Sequence, residues 1–288
     1  MEKLKITDVR AIPGDSAFLI DDGKTSVLYD TGFAFTGYQV ADNIKKELGE
    51  RNLDYIFLTH SHYDHALGSA YIARRYPAVK VVAGAYAEKI FAKPSARVVM
   101  RDLDRKFATT CGVSDYEDLI DELRVDICVQ DGDVVEAGDM RFTAVNLPGH
   151  TRCSVGYYLA EKKLLLSSET LGVYLGEDTV LPSYLVGYGM TLESIQRVEA
   201  LSVDCVLIPH FGLLNKEQTK HFLKKSKQVA LEVAEEIKSI LLAGGTCEDA
   251  EQFFRDKYYT EAVKPTYPEA AFQLNTSIMV RLIEQELL

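Results

Sequence analysis

The chain has 288 residues, enough for one large domain or for a domain with an extension. Its 47% hydrophobic and 26% charged residues are typical of a globular protein with a substantial core. The 43 acidic and 32 basic residues give a net charge of −11, which repels phosphate backbones and disfavours nucleic acid as a partner. The densest basic run, 220–227, lies on a helical pattern and is interpreted as a solvated face.

The cysteines and the N-terminal residues bear on the cellular compartment. The cysteines are Cys111, Cys128, Cys153, Cys205 and Cys247. Their odd number and wide spacing favour reduced thiols over a disulfide framework. The N-terminus lacks the apolar core of a signal peptide, and no run approaches the length of a membrane span. We therefore expect a cytoplasmic protein without a membrane partner.

The chain opens with a pattern of short strands. Apolar runs at 6–12, 17–20 and 26–29 alternate with turn signals, and Asp21-Asp22-Gly23 is typical of a hairpin turn. These features predict an antiparallel meander. It ends in Asp30-Thr31-Gly32, a polar turn at the end of the third strand.

Helices and buried strands then alternate. The predicted helices are 38–50 and 66–76, and the predicted strands are 55–58 and 79–83. This rhythm is typical of an α/β arrangement. Residues 84–124 are helical and irregular, and they fit either helical cover or part of a pocket wall.

The second half of the chain is rich in strands and ends in helices. Its predicted strands are 125–129, 134–135, 141–146, 154–159, 164–167 and 203–208. Residues 171–190 lack a clear period and predict a long loop, after which Thr191 is the expected N-cap of a helix to 201. The predicted C-terminal helices are 216–242, 247–258 and 270–287. We expect a domain over 1–214 and a helical extension over 215–288 that packs on it, whereas a homodimer through the last helix stays open.

Three histidines and an aspartate follow directly on the buried run 55–58. They are His60, His62, Asp64 and His65. The whole chain has 6 histidines, so three of them in one short turn are not expected by chance. Imidazole nitrogen and carboxylate oxygen together suit zinc, iron or manganese. The turn is therefore predicted to be a metal site.

Further ligand-type residues follow other strands. His150, Glu169 and His210 each come directly after a predicted strand, as His60 does. Strand ends at one edge of a packed sheet can meet at one point, so these residues are candidates for the same site. His221 lies among lysines in a predicted helix and is interpreted as structural.

The order of these residues resembles that of the metallo-β-lactamase-fold hydrolases, over roughly residues 4–214. The chain resembles the glyoxalase-II-like and thioesterase-like branch, in which C-terminal helices cap the pocket, and its own C-terminal helices are expected to do the same. The resemblance implies an α+β fold, a four-layer αββα sandwich with two metals at one edge of its sheets. Here a C-terminal helical extension would follow the sandwich.

The resemblance also implies a ligand set. The residues expected to hold the first metal are His60, His62 and His150. Those expected to hold the second are Asp64, His65 and His210. Glu169 would bridge the two ions, and Asp30 would support the site from behind the ligands.

Two features depart from the family pattern. The bridging acid is usually aspartate, whereas here it is Glu169. The usual Gly-His-Thr-Pro-Gly-Ser turn reads Gly149-His-Thr-Arg-Cys-Ser154, in which Cys153 is interpreted as a small buried residue. Glu169 stands where secreted β-lactamases often carry a cysteine, and no signal peptide is present, so antibiotic hydrolysis is disfavoured.

The ligand set implies a hydrolytic mechanism. Two divalent ions about 3.5–4 Å apart can share a water and lower its pKa to roughly neutral. The resulting hydroxide would attack an electrophilic carbonyl, phosphorus or sulfur, and Asp64 would orient it and accept its proton. Ligands without thiolate leave zinc, iron and manganese open, and zinc is the expected metal.

The loop 171–190 and the C-terminal helices bear on the substrate. Tyr184 and Tyr188, with Tyr174, either line an apolar pocket and offer a phenol to an oxyanion or pack the loop. An apolar pocket under a helical lid suits a small acyl substrate, namely a thioester, an ester or a lactone.

Four alternatives differ in what they require. A phosphodiesterase acting on RNA needs a basic groove, and none is visible in the sequence. An alkylsulfatase fits the glutamate but is expected to carry a further acid and a larger C-terminal region. A flavodiiron oxidoreductase is expected to have glutamate at position 62 and a flavin domain. A metal-stabilised binding module would have the ligands but little turnover.

Overall fold

A computed structural model describes residues 4–176, 179–261, 263–264, 267 and 269–288. The chain divides into two compact units. The first unit comprises residues up to 146 together with 155–166, and the second comprises 147–154 and the residues from 167 onward. The expected division into 1–214 and 215–288 stays a prediction.

The first unit contains a six-stranded mixed sheet. Its strands, in spatial order, are β1 (Lys5–Asp8), β2 (Phe18–Asp21), β3 (Ser26–Tyr29), β4 (Tyr55–Phe57), β5 (Lys80–Gly84) and β6 (Ile127–Val129). β1, β2 and β3 pair antiparallel, and β3 to β6 pair parallel. Asp21 accepts a hydrogen bond from the backbone N–H of Gly23 and so stabilises the turn between β2 and β3. The predicted meander and its hairpin are confirmed.

Helices connect the strands of this sheet, as parallel pairing requires. They are α1 (Gly37–Leu48), α2 (Tyr63–Ala66), α3 (Gly68–Arg75), α4 (Ala85–Phe91) and α5 (Pro94–Thr110). α1 buries Val40, Ile44 and Leu48, the residues whose spacing predicts it. The irregular region 84–124 contains α4, α5 and a 3₁₀ turn at Ile120–Glu122.

Four further strands of the first unit form an antiparallel ladder. They are β7 (Val134–Ala137), β8 (Met140–Asn146), β9 (Val155–Leu159) and β10 (Leu164–Leu166). The Phe57 ring of β4 lies 5.1 Å from that of Phe142 and 4.6 Å from that of Tyr157. The Tyr157 hydroxyl donates a 2.9 Å hydrogen bond to the carbonyl of Leu58. The two sheets therefore pack face to face, and the contacts fix the end of β4.

The second unit is mainly helical. Its elements are β11 (Val173–Tyr174), β12 (Val180–Leu181), α6 (Tyr188–Glu199), β13 (Cys205–Ile208), β14 (Gly212–Leu214), α7 (Lys216–Leu242), α8 (Cys247–Tyr258) and α9 (Glu269–Leu287). Asn215 caps α7 and Thr246 caps α8, each in a reciprocal capping box. The Glu286 carboxylate of α9 accepts hydrogen bonds from the backbone N–H groups of Tyr188 and Gly189. The last helix thereby satisfies donors at the start of α6.

Two element boundaries differ from the sequence prediction. The loop predicted over 171–190 contains the short pair β11 and β12, and α6 begins at Tyr188. Thr191 is therefore inside the helix, where its hydroxyl donates to the carbonyl of Gly187 at 2.9 Å. The prediction of Thr191 as the N-cap was therefore wrong. A threonine whose hydroxyl donates to a carbonyl of the preceding helical turn cannot be distinguished from an N-cap by sequence alone. Glu177 and Asp178 of this loop lie outside the described residues.

The helix predicted over 66–76 also starts earlier. The chain becomes helical at Tyr63, and α2 and α3 follow one another with Leu67 between them. Asp64 and His65 consequently lie on a helical turn instead of in an open loop. In the ranges that the structure describes, no helix is both long and apolar enough to cross a membrane.

Candidate metal centre

The turn after β4 brings four ligand-type side chains into one cluster, which we call the first half-site: His60, His62, Asp64 and His65. The ring centroid of His60 lies 4.6 Å from that of His62 and 4.0 Å from that of His65. Nε2 of His65 lies 3.8 Å from Oδ2 of Asp64. His60 and His65 are fully buried, whereas His62 and Asp64 keep part of their surface exposed. The turn therefore has a fixed inner side and an accessible outer side.

Asp30 fixes the orientation of His65. Oδ2 of Asp30 lies 2.8 Å from Nδ1 of His65, and both side chains are fully buried. The backbone N–H of Thr59 donates to Oδ1 of Asp30 at 2.9 Å, and the Ser16 hydroxyl donates to Oδ2 at 3.0 Å. Because a carboxylate faces Nδ1, we assign the ring proton to that nitrogen, which leaves the lone pair on Nε2. The predicted supporting contact of Asp30 is present.

The rest of the turn Asp30-Thr31-Gly32 holds the backbone of the first half-site. The backbone N–H and the hydroxyl of Thr31 both donate to the carbonyl of His65, at 2.8 and 2.7 Å. A Cβ at Gly68 would lie 2.1 Å from the carbonyl oxygen of Thr31, so only glycine allows this approach. Asp30 itself has φ 52°, a left-handed conformation that aspartate tolerates better than most residues.

Thr59 is a supporting residue that sequence reasoning missed. Its hydroxyl lies 2.9 Å from Nδ1 of His60 and 3.0 Å from the carboxylate of Asp30. It therefore links the two buried histidines of the first half-site through one hydrogen-bond network. Threonine is common at strand ends, so its position before His60 carries no distinct signal.

The second unit contributes the remaining three ligand-type side chains, which we call the second half-site: His150, Glu169 and His210. Nε2 of His150 lies 2.9 Å from Oε2 of Glu169. Nε2 of His210 lies 3.7 Å from Oε1 of the same carboxylate. Each oxygen of Glu169 therefore faces a different histidine. His210 follows β13 with φ 62°, a left-handed conformation that residues other than glycine rarely adopt.

Ser183 fixes the orientation of His150. Nδ1 of His150 lies 3.0 Å from the carbonyl oxygen of Ser183 and 2.8 Å from its hydroxyl. The carbonyl can only accept, so we assign the ring proton to Nδ1 and the lone pair to Nε2. Sequence reasoning missed Ser183, although it lies in the loop expected to be functional. A single serine among tyrosines and glycines gave no signal.

The turn that carries His150 is closely packed within the second unit. A Cβ at Gly149 would lie 2.2 Å from the Thr191 hydroxyl, and its φ of +142° also favours glycine. The Thr170 hydroxyl donates a 2.6 Å hydrogen bond to the carbonyl of Leu147. Cys153 is buried, with its sulfur 3.2 Å from the Thr151 hydroxyl, in agreement with its interpretation as a small buried residue.

Tyr184 and Tyr188 form a pair in the second unit. Their ring centroids lie 5.4 Å apart in an edge-to-face arrangement. Tyr184 is fully buried, and its hydroxyl has no hydrogen-bond partner in the part of the chain that the structure describes. Burial raises the pKa of Tyr184 well above its ordinary value, so the phenol stays a proton donor at neutral pH. The role of either tyrosine toward an oxyanion stays a prediction.

The donors of each half-site fit a divalent metal. Ligand atoms of His60 and His62, of Asp64 and His65, and of His150 and Glu169 lie within 4.8 Å of one another. All are nitrogen or oxygen donors, which suit zinc, iron and manganese. Nδ1 of His65 and of His150 each faces an acceptor, as is usual for histidines that bind metals through Nε2. His221 is exposed on α7 and belongs to neither half-site.

Comparison with known proteins relates both half-sites to one family. The sequence profile of the Metallo-beta-lactamase superfamily matches residues 14–210. Human acyl-coenzyme A thioesterase MBLAC2 is 27% identical over 214 residues, which are 70% of this chain and 74% of that protein. The hydroxyacylglutathione hydrolase of Ectopseudomonas mendocina is 32% identical over 123 residues, which are 43% of this chain and 35% of that protein.

Solved structures give the same assignment of the fold. The metallo-beta-lactamase family protein TTHA1429 from Thermus thermophilus superimposes with a TM-score of 0.62 over 98% of this chain and 93% of that one. Its 17% identity means that this likeness shows the fold alone. The predicted α+β fold class with C-terminal helices is confirmed. The named curated relatives are hydrolases, so the prediction of a hydrolase is confirmed at the level of the family.

The matched range 14–210 includes Asp30 and every residue of the two half-sites. It also accounts for more than half of the chain, and the fold agrees with it independently. The chain belongs to the metallo-β-lactamase superfamily.

Proposed function

We propose that the chain is a dinuclear metal-dependent hydrolase of small acyl substrates, with thioesters favoured over esters and lactones. The observation that carries the proposal is the orientation of His65 by Asp30 and of His150 by Ser183. A buried hydrogen-bond acceptor at Nδ1 fixes the ring orientation and the tautomer in which Nε2 can bind a metal. Two relatives, a thioesterase and a hydroxyacylglutathione hydrolase, support an acyl substrate.

The proposed ligand set joins the two half-sites. The first ion would be held by His60, His62 and His150, and the second by Asp64, His65 and His210. Glu169 would bridge them, and its two oxygens already face different histidines. Zinc is the favoured metal for such a set, with iron and manganese as alternatives.

Besides the ions, the proposed hydrolysis uses a water and the carboxylate of Asp64. When bound, the ions would lower the pKa of a water to about neutral and polarise the acyl carbonyl. The water oxygen attacks the carbonyl carbon, and one water proton passes to the carboxylate of Asp64, which lies beside His65 and is partly exposed. The carbon–sulfur bond then breaks, and the departing thiolate takes up the proton held by Asp64, which restores the carboxylate. The products are a carboxylic acid and a thiol.

A substrate panel tests this proposal. The purified chain is assayed against acyl thioesters, esters, lactones, phosphodiesters and sulfate esters, before and after treatment with a chelator. We expect turnover of acyl substrates that is lost on chelation and restored by zinc, iron or manganese. Turnover of only phosphodiesters or sulfate esters would contradict the acyl assignment. Acyl turnover that withstands complete metal removal would contradict the metal-dependent mechanism.

A further inference from the structure

A group of aromatic rings in the first unit adjoins the first half-site. We call it the aromatic cluster: Phe33, Phe35, Tyr63, Phe107 and Tyr116. The Phe33 ring lies 5.7 Å from that of Tyr63, 5.1 Å from that of Phe35 and 4.7 Å from that of Phe107. The Phe35 ring lies 6.2 Å from that of Tyr116. The rings therefore pack as one contiguous group.

The cluster is continuous with the metal ligands through Tyr63. Tyr63 lies between His62 and Asp64 in the sequence, at the start of α2. Phe33 is 3% exposed, whereas the other four rings are only half-buried. A contiguous, partly exposed aromatic surface next to a catalytic turn is typical of a ligand-binding wall. Phe107 is on α5, so this helix contributes one ring to the cluster.

Two buried carboxylates hold the backbone beneath the rings. Asp104 accepts hydrogen bonds from the Ala34 backbone N–H at 2.9 Å and from the Tyr116 hydroxyl. Asp15 accepts them from the Phe33 backbone N–H at 3.3 Å and from the Thr36 hydroxyl at 2.7 Å. The turn after β3 is thus fixed from both sides. These bonds fix the backbone that carries Phe33 and the hydroxyl of Tyr116, and a surface that is fixed before binding favours binding.

We propose that the aromatic cluster binds the acyl chain of the substrate, so that medium- and long-chain acyl thioesters are the preferred substrate class. This inference rests on the proposed function. The partly exposed rings offer apolar area that an uncharged hydrocarbon chain can bury. Of the two substituents on a reacting acyl carbonyl, the uncharged hydrocarbon chain is the one that this surface fits.

A series of saturated acyl thioesters from C2 to C12 on one thiol tests the proposal. Each methylene that becomes buried raises kcat/KM by about fourfold at most, until the chain outgrows the cluster. We expect Phe35→Ala and Phe107→Ala to lower kcat/KM for C10 by about tenfold or more and to leave C2 almost unchanged. Tyr86→Ala is the matched control, because Tyr86 is an aromatic residue of α4 with 39% exposure that is not part of the cluster.

A binding measurement separates this inference from the proposed function. The chain has 0 tryptophans, so Phe35→Trp introduces a single indole into the cluster. We expect its fluorescence to change saturably with dodecanoate and not with acetate, while Tyr86→Trp stays silent. No fluorescence response, or an equal loss of activity at every chain length, would overturn the cluster proposal. Absence of all thioester hydrolysis with a saturable response would overturn the proposed function instead.

Discussion

Asp30 and Ser183 each provide a hydrogen-bond acceptor to a buried histidine, in different halves of the chain. Each faces Nδ1 of one buried histidine, and each thereby determines which nitrogen of that ring can bind a metal. The ligand-type residues themselves stood out in the sequence, because three of the 6 histidines lie in one short turn, and their role as metal ligands stays a prediction. Ser183 could not be predicted, because it lies 33 positions from His150 and serine is common in loops.

Asp30→Asn tests the role of the carboxylate. Asparagine keeps the left-handed backbone at this position, but its amide N–H₂ would face Nδ1 of His65. The ring proton would then move to Nε2, the nitrogen that a metal needs. We expect metal affinity to fall about 10- to 100-fold, as measured by titration of the metal-free protein.

The control for this change is Asp42→Asn, because Asp42 is an exposed acid on α1. It should bind metal as the unaltered chain does. Unchanged metal affinity in Asp30→Asn would show that the contact with His65 is only structural.

At the scale of elements, strands and amphipathic helices could be predicted, and short or closely packed elements could not. α1 follows its apolar spacing, whereas α2 has a single turn and begins inside a polar motif. The packing of α5 could not be predicted for a different reason. Its contact to the turn after β3 depends on the buried Asp104, which in sequence is one charge among several.

The buried Asp104 predicts a pH dependence of stability. Burial raises the pKa of its carboxyl to about 6, although the Tyr116 hydroxyl and the Ala34 N–H oppose this. A folded-state pKa above the unfolded value of about 3.9 gives stability that is present at low pH and lost as pH rises through about 6. Asp104→Asn removes this titration and can keep both hydrogen bonds.

The expected signature is a difference between the two proteins that changes with pH. The free energy of unfolding of Asp104→Asn, relative to the unaltered chain, should be higher at pH 7.5 than at pH 4.5 by roughly 2 kcal/mol. Urea unfolding at both pH values measures it. A difference that does not change with pH would show that Asp104 titrates at its ordinary value.

At the scale of the whole molecule, the fold family could be predicted, because its ligand spacing is specific and extends over most of the chain. The division into two compact units could not. Residues 147–154 belong to the second unit although they lie between β8 and β9 of the first. Such an assignment depends on tertiary contacts, and no linker composition marks it. The contact of Glu286 with the start of α6 could not be predicted from the sequence either.

The most direct test of the proposed metal centre is the metal content of the purified chain, measured by elemental analysis under conditions that keep iron reduced. His62→Ala removes one proposed ligand, and His221→Ala removes the exposed histidine of α7 as a matched control. We predict two metal ions per chain for the unaltered protein and for His221→Ala, and the loss of at least one ion in His62→Ala. Absence of metal from the unaltered chain, or two ions retained in His62→Ala, would contradict the proposed ligand set.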